Sequence, residues 1–169
     1  MKKILLTSVA MMSVLACFNA KAADSATGTA TVEVVKAFDI QHVNNKALDF
    51  GKVFAKAGTI SIAAATGAVT DPNGIELTGF APARDEFEIT GPAGQTATVS
   101  LDAASVTLTG SGTATGETLT ATGLALSETS VTPADPDVAV KVYVGGSLTV
   151  LASTKPGPYT GHYGVTISY

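Results

Sequence analysis

The sequence predicts an all-β chain, an immunoglobulin-like β-sandwich of roughly nine to eleven short antiparallel strands. Three observations carry that reading. From Ala23 onward apolar and polar residues alternate, and no stretch sustains a 3.6-residue period. Thr, Val, Ile and Ala fill the alternating runs. Gly, Pro, Asp and Asn fall between them, at the spacing of turns.

Composition narrows the classes. The 169 residues carry a formal charge of −4, with 14% charged and 46% hydrophobic residues. That is too apolar for charge-driven disorder. Ten basic residues against fourteen acidic ones, with no basic cluster, exclude a nucleic-acid binder. One Cys excludes a disulfide framework. The absence of Trp excludes a carbohydrate site built on indole stacking.

Residues 1–22 read as a secretory signal peptide. Lys2 and Lys3 precede an apolar run from Ile4 to Phe18, and Ala20-Lys21-Ala22 offers small residues for cleavage after Ala22. The run is short for a membrane span. Val14-Leu15-Ala16-Cys17 also loosely resembles a lipoprotein signal, with Cys17 as the acylated residue. The mature chain is then 23–169, one domain with no transmembrane segment and no Cys. The expected destination is the periplasm, the cell surface or the medium of a bacterium.

The runs follow in order. Ala26, Gly28, Ala30, Val32 and Val34 alternate with Thr27, Thr29, Thr31 and Glu33. Leu48 to Phe50, Val53-Phe54, Thr59 to Ile62 and Ile75 to Leu77 come next, with Asp71-Pro72-Asn73-Gly74 as a strong turn. Glu86 to Ile89 leads into the turn Gly91-Pro92-Ala93-Gly94. Ala97 to Leu101 and Val106-Leu108 precede a hairpin tip over Gly110 to Gly116. Thr118 to Leu126 reads as a strand pair, and Pro133 to Asp137 as a loop. Val138 to Val144 is the clearest alternation, with Gly145-Gly146 read as a hairpin turn into Leu148-Val150. After the turn Lys155 to Pro158, a last strand carries Tyr163, Val165, Ile167 and Tyr169, with His162 on its polar face.

Residues that could carry chemistry are few. His42 and His162 stand 120 positions apart, outside any metal-ligand spacing. Ser111 lies in a Gly-rich loop, not in a nucleophile elbow. Asp71, Asn73, Asp135 and Asp137 supply too few oxygens for a calcium loop. Arg84, Asp85, Glu86 and Glu88 form a charged patch, with both Glu on a solvated outer face opposite Phe87 and Ile89. The expectation is no catalytic residue, no cofactor and no tightly bound transition metal. Tyr159, Tyr163 and Tyr169 fall in the last eleven positions, as core filling or as a recognition edge.

Several segments resemble a bacterial family. They are Leu48-Asp49-Phe50-Gly51-Lys52-Val53, the Gly58-Thr59-Ile60 start, Phe87 to Gly94, Val144-Gly145-Gly146-Ser147-Leu148-Thr149-Val150, and the ending Gly157 to Tyr169. In that order they resemble the domain of unknown function 4402 family, over roughly residues 28 to 169. Its members are exported bacterial proteins, some described as fimbrial or adhesin-like, and it transfers no catalytic residue. The C-terminal strand is also similar to that of spore-coat-U-like chaperone–usher pilins, although the Cys pair many of them carry is absent.

That resemblance implies an exported structural or adhesive subunit that assembles through strand addition, with self-assembly or a periplasmic chaperone and usher as partners. Residues 26–35 then either complete their own domain as its first strand or act as a donor strand. The alternative function is a monomeric periplasmic or secreted binding module.

Overall fold

The computed structural model describes residues 25–169; the expected signal peptide, residues 1–22, and with it Cys17, lies outside them. The described chain is all-β. Its eleven strands are β1 (Asp39–His42), β2 (Gly58–Ile62), β3 (Val69–Thr70), β4 (Asp85–Thr90), β5 (Ala97–Leu101), β6 (Ser105–Gly110), β7 (Thr118–Leu126), β8 (Ser130–Val131), β9 (Val140–Val150), β10 (Tyr159–Thr160) and β11 (Val165–Ser168). A single 3-10 turn, Gly112–Ala114, forms the hairpin tip between β6 and β7.

Two antiparallel sheets make the sandwich. The large one runs β1-β4-β9-β7-β6-β10, with β2 also on β9 and β3 on β2. The small one runs β11-β5-β8. Strand β9 organises the large sheet. One of its edges takes β4 along Val140–Val144 and then β2 along Gly146–Val150, and the other takes β7. Between the sheets, Ile89 and Val142 of the large one meet Ala97, Val99 and Val131 of the small one. A second cluster joins Phe50, Ile60, Ile62, Ile75, Val106, Ala121, Leu124, Leu148 and Val150. Opposite faces stay polar: Thr59 and Ser61 hydrogen bond Thr149 and Ser147 across β2 and β9.

Four local expectations are corrected. Gly145-Gly146 is not a turn; both glycines lie inside the eleven-residue β9. A Cβ on Gly145 would overlap the Ile62 carbonyl and the Ala64 amide, so the missing side chain serves close backbone approach rather than chain reversal. Thr118 to Leu126 is one strand, not two, bent by a bulge between Thr122 and Ala125 where Gly123 takes φ +60°. The segments 48–50 and 53–54 contribute single bridges, Asp49 to Ala83 and Val53 to Glu76, instead of strands. The first strand begins at Asp39; residues 25–38 form no strand.

Among the described residues no helix is long and apolar enough to cross a membrane.

Candidate functional site

The alternating segment 26–34 offers a full face of ladder donors and acceptors, yet it forms no strand and is exposed throughout. Val32 is 87% exposed and Val34 88%. Gly28 has no atom within 4 Å of where a Cβ would stand. Residues 26–35, expected either as the first strand of their own domain or as a donor strand, form no strand among the described residues.

The C-terminal strand is shorter than its alternation suggests. Tyr163 precedes it on a loop and Tyr169 follows it, so β11 itself is Val165–Ser168. Val165 and Ile167 are half-buried against the Ile89–Val142 cluster, while Thr166 and Ser168 are exposed. One edge of β11 pairs with β5. Its other edge has no ladder partner among the described residues, and the same holds for the outer edge of β1. Thr166 Oγ1 donates to Asp102 Oδ1 at 2.8 Å, steadying β11 on the β5 side.

Strands β1 and β11 are the neighbouring edges of the two sheets, and two contacts tie their ends. At one end the Phe38 and Tyr169 rings lie 5.0 Å apart, tilted by 39°. At the other sits a polar chain. Tyr163 donates its hydroxyl to Asp85 Oδ2 at 2.6 Å, and His42 Nε2 donates to Asp85 Oδ1 at 2.7 Å. The Glu86 N–H adds a third donor at 2.8 Å. Asp85 is 4% exposed, so its charge is held by these donors in place of water. Burial, and then the bond to Asp85, push the Tyr163 hydroxyl well above the usual tyrosine range. The strands thus run in opposite directions, with Ile40, Val165 and Ile167 half-buried between the tied ends.

The other predicted positions resolve into structural roles. Glu86 and Glu88 do share the face opposite Phe87 and Ile89, but Glu86 is only 8% exposed instead of solvated. Lys141 covers it with a 2.5 Å ion pair and reaches Glu88 at 3.7 Å. The hydrogen bond to Glu86, with its charge, holds the Lys141 ammonium above the usual lysine range. Arg84 lies over the Tyr143 ring at 3.5 Å and donates to the Ala64 and Ala65 carbonyls. Asp71 Oδ2 accepts the Glu76 N–H at 2.8 Å. Backbone N–H groups, Glu76's foremost, hold that carboxyl below the usual aspartate range. Asp135 closes its own loop by accepting the Asp137 N–H. His162 is exposed on the loop before β11 rather than on the strand, and Ser111 flanks the 3-10 turn. Tyr159 donates to the Lys155 carbonyl. Among the described residues no group of three or more His, Cys, Asp or Glu side chains is arranged to hold a metal ion.

Sequence reasoning missed Phe38, His42 and Asp85 as members of this site. One signal pointed to Asp85. It shares the parity of Phe87 and Ile89 in an alternating run, which turns a carboxylate inward. Nothing in the sequence pairs it with residues 43 positions before and 78 after.

No curated protein and no solved structure matches the chain. A family model matches residues 40–169, from the second residue of β1 to Tyr169, which leaves 26–34 outside the matched region. Over that span the chain belongs to the family described as Domain of unknown function (DUF4402).

Proposed function

We propose that the chain is an exported structural subunit, fimbrial or adhesive in kind, that assembles by strand addition. Residues 26–34 of one copy join an open sheet edge of the next and bury Ala26, Gly28, Ala30, Val32 and Val34. The strand near Tyr163, Val165, Ile167 and Tyr169 is the receiving edge. The observation that carries this reading is the exposure of Val32 and Val34 in an alternating segment that belongs to no strand. Such a segment is a ready-made strand for another sheet. Fully burying each Val contributes about 1.5–3 kcal/mol. Each ladder bond adds about 0.5–1.5 kcal/mol net. A periplasmic chaperone and an outer-membrane usher suit such a subunit, since segment and edge need cover until they meet.

The test is the size distribution of the purified mature chain. Wild type should form a ladder of multimers. Val32→Asp should leave monomers, because it puts an unpaired carboxylate on the buried face, while Thr31→Asp should still assemble. A wild type that stays monomeric at every concentration refutes the assembly and leaves a monomeric binding module.

A further inference from the structure

We infer that the turn Asp71-Pro72-Asn73-Gly74 is a self-modifying site, in which the Gly74 amide closes on the Asn73 side chain and Lys56 steers the product to isoaspartate. Such a site goes beyond the proposed assembly and does not depend on it.

The turn itself supplies the reactants. Asn73 and Gly74 are both exposed. Nothing lies within 4 Å of where a Gly74 Cβ would stand, so no side chain shields the amide nitrogen. That nitrogen donates to the Asp71 carbonyl at 3.3 Å, a long hydrogen bond that is readily given up.

The fold supplies the activation. Strand β2 starts against the turn: a Cβ on Gly58 would fall 2.8 Å from Asn73 Cβ and 2.5 Å from Ile75 Cγ2. This close approach brings a donor to each carbonyl of Asn73. Lys56 Nζ donates to the main-chain oxygen at 2.8 Å, and the Thr59 N–H donates to the side-chain Oδ1 at 3.4 Å. As the Gly74 amide loses its proton, negative charge spreads onto the Asn73 main-chain oxygen, where the Lys56 ammonium already sits. The Asp71 carboxylate in the same turn opposes that charge, and the cation offsets it.

The Gly74 nitrogen then bonds to Asn73 Cγ and the Cγ–Nδ2 bond breaks. The side-chain nitrogen leaves as ammonia with the proton that Gly74 gave up, and a cyclic imide remains. Water opens the imide at one of its two carbonyls. Opening at the main-chain carbonyl gives isoaspartate, whose new carboxylate includes the oxygen that Lys56 holds. Opening at the side-chain carbonyl gives aspartate. A charged donor at 2.8 Å polarises its carbonyl more than an amide at 3.4 Å does, so isoaspartate dominates and pairs with Lys56.

The experiment ages the purified mature chain at neutral pH and follows Asn73 by peptide mapping, with fragmentation that separates isoaspartate from aspartate. Asn44 and Asn45, followed by Asn and Lys, are internal controls and should keep their amides. Asn73 should convert, with a higher share of isoaspartate in the folded chain than in the same chain unfolded in urea. Lys56→Met should slow conversion of the folded chain by about threefold to tenfold, as expected for one charge-assisted hydrogen bond to a developing anion. It should also lower the isoaspartate share to the unfolded value, whereas Lys56→Arg should keep both rate and share. The share is the decisive readout, because a looser loop alters the rate without choosing between two carbonyls. Lys56 is exposed and outside both core clusters, so Lys56→Met should fold; should it not, Lys56→Gln takes its place. An Asn73 that stays an amide as long as Asn44 and Asn45 overturns the inference, as does an isoaspartate share unaltered by loss of the Lys56 charge.

Discussion

Residues 26–34 and 140–150 hold the two longest stretches of alternating Val in the chain, and they have opposite fates. The second becomes β9, paired along both edges, with Val142 and Val144 fully buried. The first forms no strand and leaves Val32 and Val34 in water. Alternation therefore permits a strand without producing one. An edge to pair with and an apolar surface to cover decide the outcome, and β9 finds both within its own domain. The proposed assembly rests on that difference: in it, the unpaired segment does in a neighbour what β9 does at home.

The largest expected effect is at β9. Val142 is buried where Phe87 of β4 pairs with it. Val142→Asp should leave a buried carboxylate without a partner and cost roughly 3–5 kcal/mol, enough to unfold the chain. Urea denaturation followed by circular dichroism measures it. A folded variant of near wild-type stability would mean that the β9 face is not the core.

Much of the fold was legible because it rests on local pattern. The alternating faces of β2, β4, β5 and β9 and the turn at Asp71 to Gly74 need only parity and turn chemistry, and Gly74 does take φ +59°. What stayed hidden depends on distant partners. Gly145-Gly146 resembles a hairpin turn until Ile62 and Ala64 are seen against it. Asp85 resembles a surface acid until His42 and Tyr163 close on it. Residues 26–34 resemble a first strand because alternation alone does not reveal whether a segment finds an edge to pair with, and here it forms no strand. The candidate site was legible only in part: the alternating Val32 and Val34 and the tyrosines near the end stood out, whereas the ties between β1 and β11 did not.

A glycine substitution sharpens the comparison at β9 itself. Gly145→Val raises strand propensity but adds a side chain where the β2 backbone already lies. It should destabilise by about 1–3 kcal/mol or more, as overpacking does. Were this position a turn, Gly145→Asn would be nearly neutral; inside the strand it should cost nearly as much as Val. Thermal melting of both variants separates the two cases.

The Tyr163 clasp should weigh somewhat less. Tyr163→Phe leaves Asp85 Oδ2 without its donor and should cost about 1–3 kcal/mol. The effect should depend on pH in a fixed direction. The folded hydroxyl titrates above its unfolded value of 10.0, so its stabilisation is complete below that pH and is lost progressively as pH rises beyond it. The gap between wild type and Tyr163→Phe in urea midpoints should be constant near neutrality and shrink in alkali. A gap that widened with rising pH would mean that the hydroxyl is not held neutral by its burial and its bond to Asp85.

The smallest effect on the single chain should come from the residue on which the proposed assembly most depends. Val32 is 87% exposed and contributes nothing to either core cluster. Val32→Asp should therefore shift the stability of the isolated chain by no more than about 0.5 kcal/mol, the usual range for an exposed position. Thr31→Asp, one residue away on the opposite face, should do the same. Measured on dilute monomer, the two melting curves should overlay that of wild type, in contrast to Val142→Asp, where the same exchange of Val for Asp unfolds the protein. Only at concentrations that favour multimers should the two neighbours part, with Val32→Asp losing the extra stability that strand addition gives wild type and Thr31→Asp keeping it. If Val32→Asp instead melts early as a dilute monomer, residues 26–34 are part of their own domain's core, and the contrast between the two Val-rich segments disappears along with the donor-strand proposal.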